Sequence, residues 1–290
     1  AMIVGGGEGG GEEEEEEVVV VGGVKRREKR GKKGRKKRRK RRTLYVCGQP
    51  HFKLHPSFFD RAVVEILRKD DTAHIVLIKD GLDDITERTA ERIGYAISHS
   101  TQLSKKTPGV NITMHGRFKN RVHIVRRRSR VDFLRLMAAA DVVLDTFPFG
   151  GGVTTLEALS VGAPVVTLPD PRFLRGRLTQ HYIRYLGDKS LERALVVDST
   201  TMVEEWRALV KNTLKEEEHR DDDVPPEELG TLVGDKYIVQ YARQCVSAAK
   251  ATKNKKLRAR IVGAKRKIFE DDGAVLEGAS WIMSAAKLHS

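Results

Sequence analysis

From Thr43 onward, short apolar runs rich in β-branched residues alternate with longer stretches of helical period. The runs are TLYVC (43 to 47), HIVLI (74 to 78), RVHIV (121 to 125), DVVLD (141 to 145), PVVTL (164 to 168) and ALVV (194 to 197). Their length and residue types predict strands. Between them, helical patterns lie near 57–68, 86–103, 131–140, 154–161, 172–186 and 200–217. Parallel strands need crossovers and helices supply them, so the alternation predicts an α/β fold: a Rossmann-like parallel sheet with helices on both faces. Such a sheet binds ligands beyond the carboxyl ends of its strands.

That domain is expected to run from 43 to 217. The acidic, proline-containing segment EEEHRDDDVPPEELG (216 to 230) interrupts it, giving a loop over 218–234. The remainder, 235–290, reads as C-terminal helices with apolar faces at YIVQYARQCVSAA and GASWIMSAAKL, packing on the same domain. Trp206 and Trp281 fall on apolar helical faces and read as core.

Residues 25 to 42 hold fifteen Lys or Arg against one Glu, and residues 1 to 24 hold seven Glu, so half of the +14 net charge lies ahead of Thr43. Poly-Gly, poly-Glu and the run KRREKRGKKGRKKRRKRR cannot bury enough apolar surface to order a backbone, and residues 1–42 are expected to be a disordered leader. Clustered Lys and Arg release counterions from polyanions, so residues 25–42 read as a polyanion contact, a signal for an import receptor, or a solvated low-complexity leader.

Cys47 and Cys245 make no disulfide framework and lack metal-ligand spacing, which fits a reducing compartment, cytoplasmic or nuclear. No stretch approaches the ~20 apolar residues of a membrane span. The pairs and runs of acids at Asp83, Asp84 and 221–223 lack an Asp-x-Asp closing a strand and read as solvated loops. His51, His55, His74, His115 and His123 have no Asp or Ser at triad spacing.

The segment DTFPFGGGVTTLEAL (145 to 159) carries the chemistry. Gly150, Gly151 and Gly152 let the backbone approach a ligand, and the helix beginning near Val153 offers unpaired N–H groups at its positive end. Thr154 and Thr155 add hydroxyls there, and Glu157 reaches back toward a ribose diol. The spacing suits a nucleotide diphosphate. It is not a P-loop, because no Gly-Lys-Ser/Thr follows.

The stretch ADVVLDTFPFGGGVTTLEALSVGAPVVTLP (140 to 169), extended by PRFLRGRLTQHYIRYLG (171 to 187) and more loosely by CGQPHFKLHP (47 to 56), resembles the donor-binding signature of the O-linked N-acetylglucosaminyltransferases and the SPINDLY proteins. These are glycosyltransferases of the GT-B architecture, and the resemblance implies that this chain supplies the carboxyl-terminal, donor-binding half. It implies that Lys53 contacts the donor diphosphate and stabilises the departing UDP, that Gln49 lies nearby, offset by one position, and that Gly151 to Thr155 cradle phosphates. It places Glu157 where the family has a ribose-binding Asp, Arg130 where a basic residue lies near the base, and Phe133 where a histidine stacks on uracil, a task open to any aromatic face. The family's Gly-His-Thr-Thr is here Gly-Gly-Val-Thr, with Gly152 in the histidine's place.

The implied function is metal-independent, cofactor-free transfer from UDP-N-acetylglucosamine to a protein Ser or Thr hydroxyl. GDP-fucose as donor, a noncatalytic nucleotide-sugar-binding module, and nucleic-acid binding through residues 25–42 are the alternatives.

Overall fold

The computed structural model describes residues 41–79, 83–100, 121–127, 129–217, 234–253 and 255–270. The leader to residue 40, the acidic run at 221–223, His115 and Trp281 lie outside them. Among the described residues five strands form one sheet: β1 Thr43–Cys47, β2 Ala73–Ile78, β3 Val122–Val125, β4 Val142–Leu144 and β5 Val165–Val166. Every pairing is parallel and the order is β3-β2-β1-β4-β5. Successive side chains of a strand point to opposite faces. Tyr45, Val46 and Cys47 of β1 and all of β4 and β5 are buried, so both faces are covered. That burial explains why these strands read as continuous apolar runs rather than alternating ones.

The covering helices are α1 Arg61–Lys69, α2 Asp83–His99, α3 Arg130–Ala139, α4 Val153–Ser160, α5 Leu178–Tyr185, α6 Lys189–Leu195, α7 Met202–Glu217, α8 Asp235–Lys253, α9 Lys256–Ala264 and α10 Arg266–Phe269. α8 lies along α1 and reaches β4 and β5 with buried Tyr241, Ala242, Cys245 and Ala249. Arg258 of α9 donates to the carbonyls of Ala140 (2.7 Å) and Val161 (3.4 Å), and Lys265 to that of Ser160 (2.8 Å), satisfying acceptors where α3 and α4 end.

Three expectations are corrected. Asp83 and Asp84, expected in a solvated loop, are exposed residues of the first turn of α2. The run 194–197 is not a strand: Ala194 and Leu195 close α6, and Val196 contributes an isolated parallel bridge to Thr167. The Asp188 side chain accepts the amides of Ser190 and Leu191 and starts that helix. The helix expected over 172–186 is broken, with a 3₁₀ turn at Leu174–Gly176 ahead of α5.

With this order, the chain builds outward from β1 to β2 and β3, then returns to β4 on the other side of β1. In a sheet of this order the loops leaving β1 and β4 set out toward opposite faces, and the crevice where such folds bind ligands is the one between these two loops at the strands' carboxyl ends. Among the described residues no helix is long and apolar enough to cross a membrane.

Candidate functional site

The loop after β1 folds into a 3₁₀ turn at His51–Lys53 and a π-type turn at Pro56–Asp60 that runs into α1. Arg92 of α2 holds it down, donating to Asp60 Oδ2 (2.6 Å) and to the carbonyl of Leu54 (2.6 Å). Lys53 is thereby aimed across the crevice. Its Nζ lies 3.2 Å from the Gly150 carbonyl, 3.3 Å from Gln49 Oε1 and 3.9 Å from the centroid of the Phe149 ring. Burial lowers the Lys53 pKa, while the nearby Asp145 carboxylate pulls it back up. Burial also pushes the Cys47 thiol up to about 12, so it stays protonated beneath the lysine.

The glycine loop is folded on Asp145. Its Oδ1 accepts the amides of Gly151 (2.7 Å) and Thr146 (2.9 Å), and its own backbone carbonyl accepts Tyr241 Oη of α8 at 2.8 Å. Burial raises the Asp145 pKa, opposed by the hydroxyls of Thr167 and Thr179 and by those two amides. Gly151 leaves no room for a side chain: a Cβ there would stand 2.3 Å from Thr155 Oγ1 and 2.4 Å from Gln49 Nε2. At Gly152, where the resemblance expects a histidine, an added Cβ meets nothing within 4 Å.

Several groups expected to face a ligand are turned inward. The Gly150 amide donates to the Arg175 carbonyl at 3.2 Å, the Gly151 amide is taken by Asp145, and the buried Thr155 hydroxyl bonds Thr179 Oγ1 at 3.0 Å. Among the described residues, the backbone amides of Gly152, Val153 and Thr154 are without an acceptor. They open α4 at its positive end, a geometry that can accept an anion.

Glu157 and Arg130 meet each other, Oε1 to Nε at 3.4 Å, with the Arg130 side chain 79% exposed and that of Glu157 21%. Arg130 opens α3, whose N-cap Ser129 accepts the Asp132 amide. Phe133, one turn on, is half-buried: its ring edge packs over Gly48 at the exit of β1, within 3.0 Å of where a Cβ would stand. Lys53, Gln49, the glycines and Thr155 thus share one cluster, and Arg130 with Glu157 forms a neighbouring pair. Asp145, Thr179, Tyr241 and Phe149 complete the site and carried no sequence expectation of their own. Asp145 had a visible signal, an acid ending a buried strand beside glycines. Among the described residues no group of three or more His, Cys, Asp or Glu side chains stands together as a metal site.

No family model matches the sequence, and no curated protein matches it. Similar solved structures include a mutant of an O-GlcNAc transferase from Thermobaculum terrenum, 24% identical with a TM-score of 0.41, covering 78% of this chain and 37% of that one. The UDP-GlcNAc 2-epimerase of Neisseria meningitidis bound to UDP-GlcNAc is 15% identical with a TM-score of 0.31, covering 74% and 45%. A glycosyltransferase from Rickettsia africae is 10% identical with a TM-score of 0.34, covering 79% and 48%. The chain spans less than half the length of each of these proteins.

Proposed function

We propose that the crevice between the loops after β1 and β4 holds the diphosphate of a nucleotide sugar, and that this chain is the donor-binding half of a glycosyltransferase. The donor is UDP-N-acetylglucosamine and the acceptor a protein Ser or Thr hydroxyl. The observation that carries the reading is the Lys53 amine beside the Gly150 carbonyl, 3.2 Å away, where a cation and the start of α4 converge.

In the proposed transfer, the acceptor oxygen bonds to the anomeric carbon as the bond from that carbon to the terminal phosphate oxygen breaks, and UDP leaves with both electrons. Negative charge grows on the phosphate during this step. Lys53 and the amides of Gly152, Val153 and Thr154 are fixed donors for that charge and need no reorganisation to meet it. Glu157 accepts from the ribose diol once it releases Arg130. The acceptor's proton goes to a base outside these residues, so this chain alone is expected to bind UDP and transfer little or nothing.

Titration calorimetry with UDP on the full chain and on Lys53→Ala and Glu157→Ala tests the reading, with GDP as the competing nucleotide. The wild type is expected to bind UDP, and Lys53→Ala to weaken it about tenfold or more, as loss of a charged hydrogen bond does. No heat from the wild type, or one unchanged affinity across both variants, overturns it.

A further inference from the structure

A chain of alternating cations and rings runs inward from the crevice. Lys53 Nζ lies 3.9 Å from the Phe149 centroid, and the Arg175 guanidinium lies 5.9 Å from Phe149 and 4.7 Å from Phe173. Arg172 follows, 5.6 Å from Phe173, 5.2 Å from Trp206 and 6.0 Å from Phe147. The inner end is neutralised, because buried Arg172 grips buried Asp170 through Nε (2.8 Å) and Nη2 (2.7 Å). At the outer end, neither Lys53 nor Arg175 has an ion-pair partner among the described residues, and Phe149 and Phe173 are each 38% exposed.

Arg175 is not a loose surface side chain. Its carbonyl receives the Gly150 amide at 3.2 Å, which ties the 3₁₀ turn to the glycine loop, and its guanidinium rests between two rings. A guanidinium held against ring faces keeps its in-plane N–H edge free, and that edge matches two phosphate oxygens at once. Glu157 lies on the α4 side of the glycines and Arg175 on the Gly150 side. A nucleotide whose ribose is at Glu157 and whose phosphates cross the start of α4 brings its terminal phosphate toward Gly150.

We propose that Arg175 is a second diphosphate-binding cation, acting with Lys53 on the terminal phosphate of a nucleoside diphosphate. This rests on the nucleotide-sugar reading above and adds a ligand residue to it. The ladder of rings orders the guanidinium before the ligand arrives, so little side-chain freedom is lost on binding.

The test is calorimetry of UDP and UMP with wild type, Arg175→Ala and Arg175→Lys, each checked for an unchanged melting temperature and repeated at two salt concentrations. Arg175→Ala is expected to lower UDP affinity about tenfold, leave UMP nearly unchanged and reduce the salt dependence of UDP binding. Arg175→Lys, which keeps the charge and loses the planar fork, is expected to recover part of the loss. Unchanged UDP affinity in Arg175→Ala, or equal losses for UDP and UMP, overturns the inference. If Lys53→Ala weakens UDP and Arg175→Ala does not, this inference alone fails. If the wild type binds no UDP, the nucleotide reading fails and this one falls with it.

Discussion

Asp145 Oδ1 takes the Gly151 amide at 2.7 Å, so the acid that closes β4 bends the glycine loop back over the strand it leaves. The same oxygen takes the Thr146 amide. Asp145→Ala strands two buried donors, each costing roughly 1–3 kcal/mol, and is expected to destabilise the fold by about 3 kcal/mol. Asp145→Asn keeps an acceptor in place and presents its amide to the Thr167 and Thr179 hydroxyls, so a loss nearer 1 kcal/mol is expected. Chemical denaturation of the two variants decides. Equal losses would mean that the charge, and not the acceptor geometry, holds the loop.

Gly151 is packed between Thr155 and Gln49, and a methyl group there collides with both. Gly151→Ala is expected to cost about 1–3 kcal/mol, in the manner of an overpacked core, and to weaken UDP because Gln49 and Thr155 must shift. Gly263 is the internal comparison: it sits within α9 with nothing within 4 Å of an added Cβ. Gly263→Ala is expected to raise stability by about 0.5 kcal/mol through helix propensity. Thermal melts of the pair should therefore move in opposite directions.

The sheet was legible because its central strands are buried on both faces, and TLYVC or DVVLD has few other uses in an α/β chain. The ALVV run misled for a physical reason. Leu191 and Leu195 face inward four residues apart, but Ala194 and Leu195 at the helix end run straight into Val196 and Val197 beyond it, and the four together look like a strand in isolation. The glycine loop was visible as a loop, yet the direction of its amides was not. Which amides turn inward depends on Asp145 and Arg175, and no periodicity reports them. The contact of Lys53 with Gly150 joins residues 97 apart and exists only because β1 and β4 are neighbours, a fact about strand order. The position of Arg175 against the Phe149 and Phe173 rings was hidden because it depends on a 3₁₀ turn that a helical pattern concealed.

His74 and His123 stack on neighbouring strands with ring centroids 5.3 Å apart and Nδ1 to Nε2 at 3.0 Å. Sharing that hydrogen bond requires one ring to donate and the other to accept, so a second proton is unwelcome. Burial lowers His74 to about 4, helped by His123, Arg42 and Arg121 and opposed by Asp70; burial and Arg42 lower His123. The unfolded chain therefore takes protons near 6.5 while the folded one resists them. The stability this gives is present above that value and is lost as pH falls toward 4. Urea unfolding across this window should show a steeper decline in the wild type than in a His74→Gln, His123→Gln double variant. Parallel curves would remove the pair from the acid response.

Arg92 fixes the loop that presents Lys53, and its partner Asp60 is buried. Burial raises Asp60 to about 6 even with Arg92 drawing it down. Removing the guanidinium leaves a buried carboxyl without its countercharge, so Arg92→Ala is expected to cost about 3 kcal/mol at neutral pH. The sign of the pH dependence follows from Asp60. Its folded value lies above the ordinary 3.8, so the unfolded chain ionises first and stability falls as pH rises from there through about 6. In Arg92→Ala the folded value climbs further and the fall continues to higher pH. The variant's deficit should then be small in mild acid, where Asp60 is neutral in both folded proteins, and grow toward neutrality. Adding Asp60→Asn should remove most of that growth while leaving UDP binding weakened, since the Leu54 carbonyl next to Lys53 has still lost its donor. A deficit that is the same in acid and at neutrality would show that Arg92 acts through packing and the Leu54 contact alone.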